Sequence, residues 1–476
     1  LETLTRKALE ESPLDTRSKD RCKNMFALGI LYWLFHRDMQ PTFDFIRTKF
    51  AKKPDIAEAN VTAVEAGYRF ADVSGIFQAN YKIAKATDLA AGTYRNIMGN
   101  QSLCLGLVAA SKKAEVGLML GSYPITPASD ILHQLSTYKH HGVVTFQAED
   151  EIAAVCAAIG ASYSGKLGIT STSGPGLALK SEAIGLAVMT ELPLVVIDVQ
   201  RAGPSTGMPT KTEQSDLLQA MFGRNGECPV AIVCARTPAD AFEAAYESVR
   251  IALQHMVPVI LLSDGYVANG SEPWRVPDVK TLRSIEVAFA KESTDGEKFQ
   301  PYARDPKTLA RNWAIPGTPG LQHRIGGLEK SDGSGNISYD PDNHQHMTNV
   351  RAEKVARIAD SLPPTEVMGA QNGDVLVLGW GGTCGAIQAA LREIQNEGHG
   401  DRVGAVSLRY ISPFPKDLGD ILSRFKTVLI PEWNSGQLAM LIRAKYLIDA
   451  QSIAKVQGQP FSTDELVDPI REALGA

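Results

Sequence analysis

The chain has 476 residues, of which 44% are hydrophobic and 21% charged. That is too long for one ordinary core and ordinary in composition for a soluble globular protein, so two or three domains are expected. A net charge of −5 gives no basic face for nucleic acid, and no run of about 18 apolar residues exists to span a membrane.

The elements follow in chain order. Residues 1–80 read as helical and rather polar. Within them, 21–37 (RCKNMFALGILYWLFHR) predicts an amphipathic helix with Met25, Leu28, Leu31 and Leu34 or Phe35 on one side, and 41–71 continues as helices broken at Pro54. The chain begins at Leu1 rather than Met, and the segment reads as the tail of a domain that starts elsewhere. A small-residue helix follows at 99–112. From there to about 270, strands (115–121, 143–147, 167–171, 193–199, 229–235, 257–262) alternate with helices (127–138, 150–164, 176–190, 213–222, 237–255). Near-continuous apolar strands between amphipathic helices predict an α/β fold with a parallel sheet covered on both faces. Residues 271–365 break the rhythm with Pro, Gly, Asp and His, and are read as an ordered connecting segment. A further α/β unit starts at 373–383 (GDVLVLGWGGT), with a helix at 384–396 and strands at 403–408 and 427–431.

Four strand ends carry the candidate chemistry, because ligands of parallel α/β sheets bind outside the carboxyl ends of the strands. The first is GSYPITP (121–127). Thr126 suits an N-cap and Pro127 the first helical position, which would aim a helix N-terminus at the crevice as an anion site. The second is FQAEDE (146–151), where Glu149, Asp150 and Glu151 precede a helix of Ala, Val, Ile and Gly that suggests close packing on another helix or subunit. The third is TSTSGPG (170–176), whose backbone could approach a ligand but which matches no phosphate-loop or dinucleotide glycine pattern. In the fourth, QRAGPSTGMPTKTEQ (200–214), Arg201 beside a Gly-Pro-Ser-Thr-Gly loop could clamp an anion. The six cysteines, at 22, 104, 156, 228, 234 and 384, include no CxxC pair, which argues against a zinc or iron–sulfur site in this chain and for a reducing compartment.

YPITP, QAEDE with its small-residue helix, TSTSGPG and QRAGPSTGMPTKTEQSDL, in this order, resemble the α subunits of 2-oxoacid:ferredoxin oxidoreductases. The segment from GTPGLQHRIGGLEK to NISYDPDNHQHM, with the helical leader, resembles the 2-oxoglutarate (KorA-type) branch, in which a γ domain is fused ahead of the α subunit. The resemblance implies a parallel-sheet, pyrimidine-binding thiamine diphosphate domain at 99–270, a transketolase C-terminal-like α/β domain at 373–476, and the helical end of a γ domain at 1–80. It implies that Glu151, with Glu149 as the alternative, faces N1′ of the cofactor's aminopyrimidine as catalytic acid–base, with Tyr123 and Pro124 beside the cofactor. Thr126 and Arg201 would hold the 2-oxoacid carboxylate, and Ser205 and Thr206, in a loop 203–210, would add donors. His323 and Arg324 are candidates for the distal carboxylate of 2-oxoglutarate or for coenzyme A.

No Gly-Asp-Gly followed at a distance by Asn is present to hold Mg²⁺ and a diphosphate; Asp264-Gly265 and Asp374 lack that context. The resemblance therefore implies half an active site. A β subunit would bring the diphosphate site, Mg²⁺ and a [4Fe–4S] cluster, with ferredoxin as electron partner, in a cytoplasmic (αβ)₂ assembly. Two other readings stand beside this one: the same chemistry on pyruvate or another 2-oxoacid, and a thiamine-fold scaffold without catalysis.

Overall fold

The computed structural model describes residues 1–84, 86–87, 89–291 and 298–475. The chain divides into two compact units, Leu1–Ala91 and Gly92–Ala476. Among the described residues no helix is long and apolar enough to cross a membrane, and all six cysteines are free thiols.

The first unit is helical: α1 (Glu2–Ala8), α2 (Thr16–Arg21), α3 (Lys23–Leu34), α4 (Gln40–Lys49) and α5 (Pro54–Val73). Asp15 caps α2 by accepting from the Ser18 N–H at 2.7 Å, and Pro54 opens α5 at its first turn. The predicted face of the 21–37 helix is not the one that packs. Phe26 and Gly29 are the buried residues of α3, while Leu31 is 48% exposed. The reason is a pair of glycines. Gly29 lies against the Val64 carbonyl of α5, and Gly67 of α5 lies against the Phe26 carbonyl, so a Cβ at either position would overlap backbone. Close approach of the two helix backbones outweighs the leucine stripe.

The second unit opens with β1 (Tyr94–Met98) and α6 (Gly99–Lys113). It continues through β2 (Leu118–Ser122), α7 (Ser129–Ser136), β3 (Val143–Gln147), α8 (Glu151–Tyr163) and β4 (Leu167–Thr172). Then come α9 (Gly174–Leu179), α10 (Ser181–Thr190), β5 (Leu194–Gln200), α11 (Leu217–Phe222), β6 (Ala231–Cys234), α12 (Ala241–His255), β7 (Pro258–Asp264), α13 (Gly265–Asn269) and β8 (Ser271–Arg275). The expected helix at 176–190 is two helices broken at Lys180. The expected helix at 213–222 begins only at Leu217, because 212–216 is spent on docking contacts described below. After a connecting segment that holds α14 (Pro341–Ala356), the chain runs through β9 (Met368–Gly369), β10 (Gly373–Trp380), α15 (Cys384–Ile394), β11 (Val403–Leu408) and β12 (Tyr410–Ser412). It closes with α16 (Leu418–Ser423), β13 (Phe425–Glu432), α17 (Gln437–Tyr446), β14 (Ala450–Ala454) and α18 (Asp464–Leu474).

Two main sheets result. The larger has the order β12-β6-β7-β5-β4-β2-β3 and is parallel except for β12, which runs antiparallel to β6. The smaller has the order β14-β13-β10-β11-β9 and is parallel except for the two-residue β9. Alternation along β5 divides its side chains between two cores. Val195, Ile197 and Val199 face α6 and α12, while Leu194 and Val196 share a core with Leu376, Leu378 and Trp380 of β10. One continuous core thus joins the two sheets. The TEQSDL stretch clips them together. Gln214 donates from Nε2 to the Trp380 carbonyl at 2.8 Å and accepts the Trp433 N–H at 3.1 Å, and Gln437 accepts the Leu218 N–H at 2.9 Å.

The connecting segment is bound to the larger unit through buried charge. Glu191 pairs with Arg304 through two 2.7 Å bonds and with Lys354 of α14, while Arg311 donates to the Thr190 carbonyl at 3.0 Å. Trp313 donates to the Ser162 carbonyl at the C-terminal end of α8, so this segment runs beneath the amino ends of the strands.

Candidate active site

The strand ends β2, β4 and β5 lie side by side, as their near-continuous apolar runs require, and each hands its following loop to one crevice. At the end of β2, Ser122 and Tyr123 are buried. Tyr123 Oη and Thr172 Oγ1 of β4 are hydrogen-bonded at 2.7 Å, and the Ser122 and Ser171 hydroxyls at 2.8 Å. Burial pushes the Tyr123 phenol up, and the Glu151 and Asp198 charges add to this. Gly176, in the first turn of α9, has only Cα where these side chains meet. A Cβ there would overlap Thr172 Oγ1 and Tyr123 Oη and would stand 3.1 Å from Glu151 Cγ. The third glycine-rich loop is thus a cradle, and its glycine is required by close approach.

The acid run resolves into three roles. Asp150 is the N-cap of α8, accepting the Ala153 N–H at 2.8 Å. Glu151 is the first helical residue, half-buried beside Tyr123 and Gly176. Glu149 is exposed and outside this group. The small residues of α8 serve this chain's own sheet: Gly121 of β2 lies against the Ala154 carbonyl and Gly168 of β4 against the Ala158 carbonyl. The opposite face, with Ile152, Ala153, Cys156 and Gly160, is exposed.

Thr126 is not a helix cap. The helix starts at Ser129, whose hydroxyl accepts the Ile125 N–H at 2.8 Å and donates to the Ile125 carbonyl, so the turn closes on itself before α7 begins. Thr126 and Arg201 are nevertheless brought together, because Arg201 Nη1 donates to the Thr126 carbonyl at 2.7 Å. Arg201 is buried, and its Nε has no partner. Ser205 and Thr206 stand at the exposed tip of a loop pinched at its base by Ala202 and Met208. Pro124 is exposed at the crevice. His323 lies elsewhere: its ring packs on Tyr163, at the far end of α8, with centroids 6.3 Å apart. Twelve residues of helix separate Tyr163 from Glu151, about 18 Å along the axis, so His323 and its neighbour Arg324 lie beneath the sheet and not in this crevice.

Three residues escaped the sequence reading. Lys180 is fully buried between α9 and α10. Its ammonium lies 4.6 Å from the Tyr123 ring centre and has no hydrogen-bond partner. Burial lowers it to about 8, against the pull of Glu151, Asp150 and Asp198. Asp198 of β5 and Asp216 are buried, and among the described residues both oxygens of Asp198 and Oδ2 of Asp216 have no hydrogen-bond partner. Burial raises both carboxyls; the Asp216 charge adds to this for Asp198, and Asp216 reaches about 6 with Glu213 adding and Arg201 opposing. A lone acid inside the run LVVIDVQ and a lone cation between two apolar stretches in GLALKSEAIGL are the signals that could have found them.

A half-buried acid at a helix start, a hydroxyl pair, a close-packed glycine and a tethered arginine meet at adjacent strand ends, the arrangement expected of a thiamine-dependent oxidoreductase α subunit. Residues 110–339 match the family model for pyruvate flavodoxin/ferredoxin oxidoreductase, thiamine diphosphate-binding. The chain is 55% identical over 473 residues to 2-oxoglutarate oxidoreductase subunit KorA of Mycobacterium tuberculosis, covering 99% of this chain and 71% of that one. It is 28% identical to 2-oxoglutarate synthase subunit KorA of Methanothermobacter marburgensis, covering 79% and 97%. Its fold superimposes with a TM-score of 0.88 and 32% identity on the 2-oxoglutarate:ferredoxin oxidoreductase of Magnetococcus marinus, solved with 2-oxoglutarate, coenzyme A and succinyl-CoA bound, covering 99% of this chain and 80% of that one. The chain belongs to the KorA family of 2-oxoacid:ferredoxin oxidoreductase α subunits.

Proposed function

We propose that this chain is the α subunit of a thiamine diphosphate-dependent 2-oxoglutarate:ferredoxin oxidoreductase. The enzyme converts 2-oxoglutarate and coenzyme A to succinyl-CoA and CO₂, passes electrons to ferredoxin, and fixes CO₂ when run in reverse. The convergence of Glu151, Tyr123, Thr172 and Gly176 carries this reading, because the glycine lets three strand ends close on one another with the Glu151 carboxyl at the start of α8 among them.

Bound thiamine diphosphate would supply a nucleophilic carbon and an electron sink. This chain's share is to hold and move protons. Glu151, at the start of α8, would hold the aminopyrimidine through N1′ and supply the acid–base group there, with Tyr123 and Pro124 alongside. Arg201, held by the Thr126 carbonyl, keeps N–H groups for the 2-oxoacid carboxylate, with the Thr126 hydroxyl beside it. Loop closure would bring Ser205 and Thr206 to the same group.

The partner is a β subunit carrying the diphosphate site, Mg²⁺ and the [4Fe–4S] cluster. One observation supports a partner on this side: Val144 and Phe146 on edge strand β3 and Ile152 on α8 are apolar and exposed. We assign residues 1–80 to the end of a γ domain, 99–270 to pyrimidine binding, 271–365 to the connecting segment and 373–476 to the transketolase-like domain. An (αβ)₂ assembly in the cytoplasm fits six free thiols and the exposed α8 face.

The test is 2-oxoacid-dependent reduction of ferredoxin or methyl viologen by the chain alone and with its partner. Turnover only in the pair, requiring coenzyme A and with higher kcat/KM for 2-oxoglutarate than for pyruvate, supports the reading. Preference for pyruvate reassigns the substrate, and no turnover in the pair leaves a scaffold. Glu151→Gln should stay folded and lose roughly 10²–10⁴-fold in kcat.

A further inference from the structure

Behind the crevice lies a group of charges that neither binding nor the acid–base role of Glu151 uses. Asp198 is fully buried in β5. Among the described residues neither of its carboxylate oxygens meets an N–H or O–H, and the Asp216 carboxyl, itself buried with an unpartnered Oδ2, is the acid that faces it. Asp198 sits opposite Thr172 in the β4–β5 ladder, one strand from the hydroxyl that bonds Tyr123. Asp216 is fixed from the other side: its N–H donates to Gln200 Oε1 at 3.2 Å, and a Cβ on Gly174 would stand 2.5 Å from Asp216 Oδ1. Lys180, fully buried, is the cation turned toward Asp198, and the aromatic face of Tyr123 is what its ammonium meets.

We propose that Asp198 and Asp216 hold one proton between them, that Lys180 balances the single negative charge left, and that Lys180 thereby acts as a positioning residue for the charge of Glu151. The role assigned to Lys180 rests on the functional reading above; the shared proton does not.

The charge arithmetic favours one proton. With both acids ionised, two buried carboxylates would face each other with Lys180 as the one cation on the Asp198 side and with Arg201 offset by Glu213 on the Asp216 side, and Asp198 would have no donor at all. With one proton, the acid that keeps it donates to the other, and the block with Lys180 is neutral. Other charges facing the block are few. Lys180 meets Glu151 and Asp150 of α8 as well as Asp198, and Asp216 meets Glu213 and Arg201. Lys180 is therefore the cation shared by the acid pair and Glu151. It is held at the break between α9 and α10, in contact with the tyrosine that flanks Glu151.

The test has two arms. In the cofactor-free protein at neutral pH, infrared difference spectra of wild type minus Asp198→Asn and wild type minus Asp216→Asn should each show loss of the same protonated-carboxyl C=O band. Absence of any protonated-carboxyl band from the wild type, or its persistence in both variants, overturns the shared proton. In the assembled enzyme, Lys180→Met should move one limb of the pH profile of kcat/KM to higher pH by about 1 unit or more, and Lys180→Arg should restore it. An unmoved profile in folded Lys180→Met overturns the positioning role. Full activity of Glu151→Gln would instead remove the functional reading and leave the infrared result standing.

Discussion

Arg201 Nη1 donates to the Thr126 carbonyl at 2.7 Å, bridging the loops that leave β5 and β2 across the intervening strand β4. The bond fixes the guanidinium plane, so a carboxylate that binds it meets a fork already oriented. Lysine cannot reproduce the fork. Arg201→Lys should raise KM for the 2-oxoacid and lower kcat/KM by about 10–100-fold, equivalent to about 1.5–3 kcal/mol for a lost charge-assisted bond. Steady-state kinetics on the assembled enzyme will measure it.

Gly176→Ala adds one methyl where Thr172 Oγ1 and Tyr123 Oη already meet. Those two side chains belong to a buried hydrogen-bonded pair and cannot swing clear. The expected result is a loss of about 1–3 kcal/mol in stability from overpacking. Thiamine diphosphate binding should weaken more than thermal unfolding suggests, as measured by calorimetric titration beside a melting curve.

Gln214→Ala should loosen the clip between the two sheets. It leaves the buried Trp380 carbonyl and Trp433 N–H without the amide that satisfies both, and each such group costs about 1–3 kcal/mol. Urea unfolding should show a lower midpoint, and the slope will report whether the two sheets still unfold together.

Glu191 gives the molecule an acid limit. Burial alone would raise its carboxyl, but the Lys354 and Arg304 cations outweigh burial and hold it at about 2. A carboxyl depressed in the fold contributes stability above its ordinary value near 4.5, and loses it as pH falls from there through about 2. Glu191→Gln strands two buried cations and should cost about 3–5 kcal/mol at neutral pH, with a flatter stability profile on the acid side. Guanidinium unfolding at a series of pH values will show both.

Period and strand-end logic made much of this visible in the sequence. The alternating apolar runs placed the parallel strands, and the polar ends GSYPIT, QAEDE, TSTSGPG and QRAGP meet as the sheet order requires. What stayed hidden depends on distance in the chain. Gly29 and Gly67 select the packed face of α3, and no helical period in α3 alone announces a partner 35 or more residues on. His323, a candidate through the family resemblance alone, packs on Tyr163 at the far end of α8 from Glu151, a placement that the long connection sets and no local pattern announces. Lys180, Asp198 and Asp216 were hidden because a charge inside an apolar run is read as noise until another charge is found facing it.

The antiparallel strand β12 has a practical meaning. Tyr410 and Ser412 come from the last quarter of the chain, yet they pair with Val233 and Ile232 at the border of the larger sheet, and Tyr410 donates to buried Glu247. A fragment ending before Tyr410 would present β6 as an unpaired, fully apolar border, the kind of surface on which strands from other molecules add. Truncations at the visible boundary near residue 370 should therefore yield inclusion bodies rather than a soluble half, whereas cuts beyond Ser412 keep that border sealed.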